Sequence, residues 1–283
     1  MAEARPRSHP GAVQSPLKQR VHDFWDAESC GESYARVDNA YELSAQEQAR
    51  YQLEPYIAGF ARFDDGRGRD VLEVGVGMGA DHLMWARSGP RRLVGVDLTE
   101  RAIELSRARF EDHGARSELQ VADAESLPFP GGSFDLVYSW GVMHHSPDTE
   151  ACFKEACRVL RPGGEARIMV YHTRSLVGLM LWLRYGLATG RPFRPMSQIY
   201  AERLESPGTK AYTPAQAREM LRRAGFERSR VSVQLSHGDL LSGNVGSRHQ
   251  GGLLSLAKVL WPRWLLRRVA RPFGLYLLIE AWK

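Results

Sequence analysis

The sequence predicts an α/β fold: a doubly wound, mostly parallel seven-stranded sheet with helices on both faces. Three observations predict it. Short apolar runs alternate with amphipathic stretches, which is the pattern of parallel strands covered by helices. The first apolar run leads directly into a glycine-rich loop at residues 75–79, where a strand gives way to a helix. The chain has 283 residues, 43% of them hydrophobic, which is enough to bury one large core.

Each element is placed by its own local pattern. Apolar runs put the strands at residues 71–74, 93–96, 119–121, 134–140, 166–171, 231–235 and 275–281. Amphipathic stretches put the clearest helices at residues 81–87, 100–110, 150–160 and 214–223. The third of these helices is followed by Arg-Pro-Gly-Gly, which stops a helix and starts a turn.

The remaining stretches define the domain organisation. Residues 1–20 contain proline and arginine without an apolar core, so a flexible tail is expected there. Residues 21–66 look helical. Residues 67–283 are expected to form the main domain, interrupted by insertions at about 173–211 and 236–272.

Composition excludes several classes of protein. The net charge is +5, but Lys and Arg are interspersed with Asp and Glu over the central region, which disfavours nucleic acid as a partner. The three cysteines form no paired framework, and no secretory signal is visible, so a cytoplasmic location is expected. The most apolar run, residues 176–187, is interrupted by Arg184 and is too short to span a bilayer.

The glycine loop is the first candidate binding site. Gly75, Gly77 and Gly79 remove side chains at a helix N-terminus, so that backbone N–H groups and a bulky ligand can approach closely. Asp97 follows the next strand, about 20 residues on, where a carboxylate can accept from ribose hydroxyls. The same spacing fits the nicotinamide-dinucleotide fingerprint, so an NAD(P)-dependent oxidoreductase stays open at this point.

Five further features occur in a fixed order. Glu73 lies inside the first strand, and it is followed by VADAESLPF at 121–129, SFDLV at 133–137, WGVMHHSPD at 140–148 and RVLRPGG at 158–164. Together they resemble the class I S-adenosylmethionine (SAM)-dependent methyltransferases, especially the branch with the ubiquinone/menaquinone-type and many natural-product enzymes. The resemblance is close from about residue 70 to 171 and loose from 212 to 233.

The resemblance implies SAM as cofactor and direct in-line displacement of its methyl group, with no metal required. It implies that Gly75, Gly77 and Gly79 lie under the methionine part and Glu73 near its amino group. Asp97 is then expected to hold both ribose hydroxyls. Contacts with the adenine or the methionine chain are implied for Leu98, Asp123, Ala124 and Trp140. A protein that binds SAM without catalysis is the other alternative.

The segments outside the resemblance are where related enzymes hold their acceptors. It implies that residues 21–66 form a lid over the cofactor, and Phe24, Trp25 and Tyr34 are aromatic candidates to face the sulfonium. Candidate pocket walls in the first insertion are Met180, Trp182, Tyr185, Phe193 and Tyr200. The expected acceptor is therefore a small, apolar or lipophilic molecule. Residues 253–268, apolar and interleaved with basic side chains, are expected to contact a membrane surface or a lipophilic acceptor, with packing on the domain itself as the alternative.

His144 and His145 follow the fourth strand, and both are candidates for a catalytic base. An imidazole can take the proton of an attacking hydroxyl, amine or acidic carbon. Adjacent residues at a strand end usually point in opposite directions, so only one of the two is expected to act. A purely architectural role for both histidines is the alternative.

Overall fold

The computed structural model describes residues 15–37, 40–242 and 262–283. Within these ranges seven strands form one sheet: β1 Asp70–Val74, β2 Arg92–Asp97, β3 Glu118–Val121, β4 Phe134–Trp140, β5 Leu160–Tyr171, β6 Arg228–Gln234 and β7 Tyr276–Trp282. Their order in the sheet is β3-β2-β1-β4-β5-β7-β6. The first five run parallel, and β7 is antiparallel to both of its neighbours. The predicted fold class is confirmed.

Helices cover both faces of the sheet. Before β1 lie α1 Pro16–Ala27, α2 Leu43–Leu53 and α3 Tyr56–Ala61, with a short hairpin of Arg36–Val37 and Ala40–Tyr41 between the first two. The helices that connect the strands are α4 Ala80–Arg87, α5 Glu100–Asp112, α6 Thr149–Val159 and α9 Pro214–Ala224. The insertions contribute α7 Leu176–Tyr185, α8 Met196–Arg203 and α10 Arg263–Val269.

The sheet residues alternate between two hydrophobic layers. Leu72 and Val74 of β1 pack with α6 and α9 on one face, whereas Val71 packs with α3 and α4 on the other. All five residues of β1 are buried, as expected of a central strand with helices on both sides. Because β1 pairs in parallel with both β2 and β4, the carboxyl ends of these three strands meet at one edge of the sheet, where α/β proteins bind ligands.

The N-terminal tail was predicted too long. Helix α1 begins at Pro16, so the last five residues of the predicted 1–20 tail are helical. Ser15 caps the helix by accepting a hydrogen bond from the backbone of Lys18, and proline occupies the first turn, where it has no N–H to leave unpaired. Residues 1–14 lie outside the described ranges.

Strand boundaries also differ from the sequence prediction. Strand β5 begins at Leu160, not at residue 166, because Leu160 pairs with Phe134 and the ladder resumes at Glu165 after an irregularity, and β6 begins at Arg228, not at residue 231. Of the segment predicted at 253–268, residues 253–261 lie outside the described ranges, and α10 begins at Arg263. Among the described residues, no helix combines the length and the apolar character needed to cross a membrane.

Candidate active site

One cleft opens at the carboxyl edge of the sheet, beneath α1. It brings together eight of the nine predicted cofactor residues: Glu73, Gly75, Gly77, Asp97, Leu98, Asp123, Ala124 and Trp140. Helix α1 contributes Lys18, Val21 and Trp25 to the same cleft. The segment after α1 is tied to the domain because buried Glu32 accepts hydrogen bonds from Arg101 of α5.

Asp97 sits at the end of β2, with both carboxylate oxygens aligned by its surroundings. One oxygen accepts from the backbone N–H of Gly77 at 3.0 Å, and the other accepts from the backbone and hydroxyl of Thr99, both at 3.1 Å. Burial raises the pKa of Asp97, and the hydrogen bonds from Gly77 and Thr99 oppose that rise. Gly77 has φ +52°, and a Cβ there would meet only Ser29, at 4.0 Å, so the space above this glycine is open.

Glu73 lies deeper, next to an ionic network. Its carboxylate is 2.9 Å from Nδ1 of His82, while burial and the Asp81 carboxylate raise its pKa well above the ordinary value. Asp81 accepts from Arg50 of α2 at 2.7 and 2.5 Å and from Tyr138 at 2.7 Å. Arg50 also lines the cleft, so a guanidinium and a carboxylate are both present at this end.

At the opposite end of the cleft, both carboxylate oxygens of Asp123 accept hydrogen bonds. Its Oδ1 accepts from the backbone of Glu125 at 2.9 Å, and its Oδ2 accepts from the ammonium of Lys18, which also binds the Glu125 side chain. Burial lowers the pKa of Lys18, but hydrogen bonds and charge from the two carboxylates outweigh that effect and leave it raised. Helix α1 is thereby fastened over the loop that follows β3.

Gly79 is the exception among the predicted cofactor residues. It does not line the cleft. A Cβ at this position would lie 2.8 Å from Oγ of Ser106 and 3.2 Å from its Cα, so glycine lets α4 begin close against α5. The close approach of the two helices accounts for this glycine, whereas the sequence assigned it to the methionine part of the cofactor.

The two histidines after β4 occupy different environments. His145 lines the cleft, and its ring lies 5.2 Å from the ring of Trp25. Its Nδ1 is 2.8 Å from Oγ of Ser206 and 3.1 Å from Oγ1 of Thr209, and its Nε2 is 3.4 Å from Oε2 of Glu205. The imidazole is therefore anchored on one nitrogen and faces a carboxylate with the other.

His144 points away from the cleft. It is fully buried between the rings of His145 and Tyr171, with centroids at 4.1 and 3.9 Å, and neither ring nitrogen has a hydrogen-bond partner among the described residues. Burial, followed by the neighbouring charges of His145 and Lys210, lowers its pKa well below the ordinary value. A buried, neutral ring that does not reach the cleft fits a packing role.

Glu205 is kept ionised by its partners. Burial by itself would raise the pKa of this carboxyl, but His145 and the hydroxyl of Tyr171, which donates at 2.6 Å, together lower it. The carboxylate lies next to Nε2 of His145, which is buried and has no hydrogen-bond partner among the described residues. The pair can therefore hold a positive charge that develops on the imidazole.

The sequence did not identify several cleft residues. Glu205 and His237 come from the two insertions, and Arg50 and Glu54 come from helix α2 and its end. Glu54 accepts from the hydroxyl of Tyr276 at 2.6 Å and lies 3.6 Å from Nδ1 of His237. The insertions thus contribute to the cleft through polar residues near their ends.

The predicted aromatic pocket walls of the first insertion lie elsewhere. None of these five residues lines the cleft: Met180, Trp182, Tyr185, Phe193 and Tyr200. Tyr200 is buried in a separate small cluster with Leu181 and Ile199, and Phe193 is 96% exposed. The apolar pattern of this insertion reflects its own helix packing rather than contact with an acceptor.

Comparison with known proteins decides the cofactor. Residues 71–164 match the family described as methyltransferase domain. The matched residues contain the glycine loop and the ordered motifs, so this part of the chain is a methyltransferase domain that resembles the class I SAM-dependent enzymes. The cofactor of that domain is S-adenosylmethionine, which settles the choice that the glycine loop left open.

Individual relatives agree with the domain assignment. The 27-O-demethylrifamycin SV methyltransferase of Amycolatopsis mediterranei is 31% identical over 50% of this chain and 47% of that protein. The erythromycin 3''-O-methyltransferase of Saccharopolyspora erythraea is 37% identical over 42% of this chain and 39% of that protein. The chain spans about half the length of the curated relatives it matches.

Solved structures show the same fold. An S-adenosylmethionine-dependent methyltransferase from Mesorhizobium loti superposes with a TM-score of 0.56 over 81% of this chain and 97% of that chain, at 19% identity. At that identity the likeness concerns the architecture alone.

One cluster in the described part of the chain has the composition of a cation site. Ligand atoms of His144, His145 and Glu205 lie within 4.8 Å of one another. Sequence spacing shows no such group, because Glu205 is 60 residues away from the histidine pair. Nδ1 of His145 and the carboxylate of Glu205 already have protein partners, so the set fits a proton-transfer group better than a metal centre.

Proposed function

We propose that this protein transfers the methyl group of SAM to an oxygen atom of a small, largely apolar acceptor, with His145 as the proton acceptor. The observation that carries the proposal is the position of His145. Its ring lies in the wall of the cleft, anchored by Ser206 and Thr209 on one nitrogen and facing Glu205 with the other.

The cleft residues supply a partner for each part of the cofactor. Asp97 is aligned to accept from the ribose hydroxyls, and the open space above Gly77 leaves room for the chain that joins ribose to sulfur. The raised pKa of Glu73 reflects a buried carboxyl that gains from a cation, which the amino group of the methionine part provides. The guanidinium of Arg50 would bind the methionine carboxylate, and Leu98 and Ala124 would form the walls around the adenine.

The half of the cleft proposed to hold the acceptor has aromatic walls and the carboxylates of Glu54 and Glu205. Trp25, Trp140, Tyr171 and Tyr276 line it, so an acceptor with an apolar body gains from burial there. Polar contacts at the rim come from Glu205 and from His237, at the two insertions. Apolar walls with a few convergent polar groups are typical of small-molecule sites.

In the proposed reaction, the acceptor oxygen gains the methyl group and loses its proton to His145. When bound, SAM supplies an electrophilic methyl group, which forms a bond to the acceptor oxygen as the carbon–sulfur bond breaks. With its proton on Nδ1, toward Oγ of Ser206, His145 would offer the lone pair of its buried Nε2 to the hydroxyl proton of the acceptor. Glu205 then stabilises the imidazolium, and Trp25 helps to exclude water from the reacting groups.

Two relatives support an oxygen acceptor. The names of the Amycolatopsis and Saccharopolyspora proteins specify O-methylation or an O-demethyl substrate of a natural product. A hydroxyl group, unlike a thiolate or a neutral amine, is a poor nucleophile until its proton is removed, which fits a base in the cleft.

A labelling experiment tests the proposal. The purified protein is incubated with tritiated-methyl SAM and a cell extract of its host, which is then separated into organic-soluble molecules, protein and nucleic acid. We expect the label in the organic-soluble fraction, with S-adenosylhomocysteine formed in equal amount. Label in protein or nucleic acid would contradict the small-molecule acceptor, and SAM binding without S-adenosylhomocysteine in any fraction would favour a non-catalytic protein.

A further inference from the structure

The two insertions have an unusual charge distribution. Residues 173–201 contain four arginines and no Asp or Glu, and residues 240–279 contain six Lys or Arg and again no Asp or Glu. Removing those ten from the 38 basic residues of the chain leaves 28 against 33 acidic ones, so the remainder is net negative. The positive charge of this protein is therefore concentrated in its insertions.

The same insertions expose large apolar side chains. In the segment of α7 and the turn after it, Leu179, Leu183 and Leu187 are exposed at intervals of four residues, and Phe193 is 96% exposed. In and after α10, Trp264 is 69% exposed and Val269 is 61% exposed, with Leu265 and Phe273 also at the surface. Scattered single apolar residues are ordinary on a surface, but two neighbouring groups of them are not.

Helices α7 and α10 pack against the same small hydrophobic cluster. Leu176 at the start of α7 and Leu266 of α10 contact this cluster, which is formed by Leu235, Leu240 and Ala270. The carboxylate of Asp239 accepts from the backbone of Val177 at 3.1 Å and from that of Leu275 at 2.7 Å, which ties the two insertions together. We call the exposed residues of 176–193 and 263–273 the α7–α10 surface.

Arginines surround the apolar groups on this surface. Arg194 pairs with Glu202, and Arg263 binds the carbonyls of Leu240 and Leu241. Seven other exposed arginines of the insertions have no carboxylate within salt-bridge distance among residues 15–37, 40–242 and 262–283: Arg174, Arg184, Arg191, Arg203, Arg267, Arg268 and Arg271. Their charge is available to an anionic partner.

We propose that the α7–α10 surface docks on an anionic lipid bilayer. Interleaved arginines, tryptophan and aliphatic side chains are the composition of interfacial segments, in which apolar groups enter the acyl boundary and guanidinium groups remain at the phosphates. A second copy of this chain would bring like charges face to face across a symmetric interface. Nucleic acid would satisfy the arginines but would leave Phe193, Trp264 and Val269 without apolar contacts.

The docking surface belongs to the insertions that reach the cleft. The first insertion supplies Glu205 and the second supplies His237 to the cleft wall. Docking would therefore place the acceptor half of the cleft close to the bilayer, where lipophilic molecules concentrate. The inference does not rest on the proposed function, because binding to a bilayer needs neither cofactor nor acceptor.

Vesicle flotation with the full chain tests the proposal. One set of vesicles is pure phosphatidylcholine, and the other contains about 30% phosphatidylglycerol, which gives the negative surface potential that basic residues sense. We expect the protein to float with the anionic vesicles at about 0.1 M salt and to be released as salt screens the charges. Equal binding to both vesicle types, or no binding to either, overturns the proposal. Such a result would point to residues 243–261 or another protein as the partner of this surface.

Variants locate the contact. Each basic residue near an anionic surface contributes about a fivefold gain in partitioning, so Arg267→Gln with Arg268→Gln should lower it roughly 25-fold. Trp264→Ser should weaken binding without changing its salt dependence. The matched control, Arg218→Gln with Arg222→Gln, makes the same charge change on α9, whose buried residues pack on the other face of the sheet. Equal losses in both double variants, or no loss in the first, would overturn the assignment to this surface, and unchanged SAM affinity verifies folding.

Discussion

Nε2 of His145 lies 3.4 Å from Oε2 of Glu205, although the two residues are 60 positions apart in the chain. The carboxylate belongs to the first insertion and the histidine to the loop after β4. Tyr171 fixes the carboxylate with a 2.6 Å hydrogen bond, and Ser206 and Thr209 fix the opposite edge of the imidazole. This pair connects a loop at the carboxyl edge of the sheet to the first insertion.

We predict that His145→Ala lowers kcat about 10²- to 10⁴-fold with little change in SAM affinity, because the base is lost and the cofactor contacts remain. Steady-state kinetics and calorimetry measure the two effects. His144→Ala serves as the comparison and should keep kcat near the wild-type value, since its ring does not line the cleft. A normal kcat for His145→Ala would contradict the assignment.

Glu205→Gln keeps the shape of the side chain and removes the charge that stabilises a protonated His145. We expect kcat to fall about tenfold and KM for SAM to stay constant, since a charge-assisted hydrogen bond is worth about 1.5–3 kcal/mol. Glu202→Gln is the matched control, because Glu202 is exposed and pairs with Arg194 outside the cleft. Equal kinetics for both variants would show that Glu205 has no part in proton transfer.

Asp97→Ala and Gly77→Val should each weaken SAM binding at least tenfold. The first loses two charge-assisted hydrogen bonds to the ribose, and the second fills space that is open in the structure. Calorimetric titration with SAM measures both, and Asp112→Ala at the end of α5 controls for charge. Wild-type affinity in both cleft variants would refute the placement of the cofactor.

Lys18→Met should loosen α1 over the cleft, because Lys18 bridges Asp123 and Glu125. We expect SAM to dissociate several-fold faster, with a smaller change in its association rate, as stopped-flow fluorescence can record. Lys154→Met, at an exposed position of α6, removes an ion pair with Glu150 and should leave both rates unchanged. An unaltered dissociation rate in Lys18→Met would mean that α1 does not act as a lid.

Asp70 should make stability depend on pH. Hydrogen bonds from Arg91, opposed by burial and supported by Arg161, lower its pKa from the ordinary 3.8 to about 2. The stabilisation is then fully present above the unfolded value and is lost as pH falls through about 2. Since Arg91 is exposed, we expect Asp70→Asn to lower the free energy of unfolding by about 1–2 kcal/mol at neutral pH. The difference from wild type should shrink toward pH 2 in denaturant titrations, and a constant difference would contradict the assignment.

Chelation should not affect turnover. His145 and Glu205 already have protein partners, so we expect dialysis against EDTA to leave kcat unchanged. A loss of activity that a divalent cation restores would instead make the histidine pair and Glu205 a metal centre.

Local patterns were enough to predict the sheet. The strands follow from short buried apolar runs, and Asp97 follows from its place at the end of β2, where the fold brings it to Gly77. Eight predicted cofactor residues line one cleft, and their individual roles stay predictions. Gly79 lies outside the cleft wall, and its contact with the cofactor stays a prediction, because a glycine needed for helix packing and one needed for a ligand have the same appearance in sequence.

Contacts between residues far apart in the sequence could not be predicted from local patterns. Arg50 meets Asp81 across 31 positions, and His237 meets Glu54 across 183, in stretches that no local motif marks. The choice between His144 and His145 likewise depends on which way each side chain turns after β4, and that is set by Tyr171 and the first insertion. Such information lies in tertiary packing rather than in local periodicity.

The most direct test of methyl transfer is to follow a ¹³C-labelled methyl group from SAM, in wild-type protein and His145→Ala, with the host's organic extract as the source of acceptor. We expect the label to appear on an oxygen of one organic-soluble product, with one S-adenosylhomocysteine formed per methyl group. We also expect His145→Ala to bind SAM normally but to form product far more slowly. Transfer to another element or to a macromolecule, or equal rates for the two proteins, would contradict the proposed function.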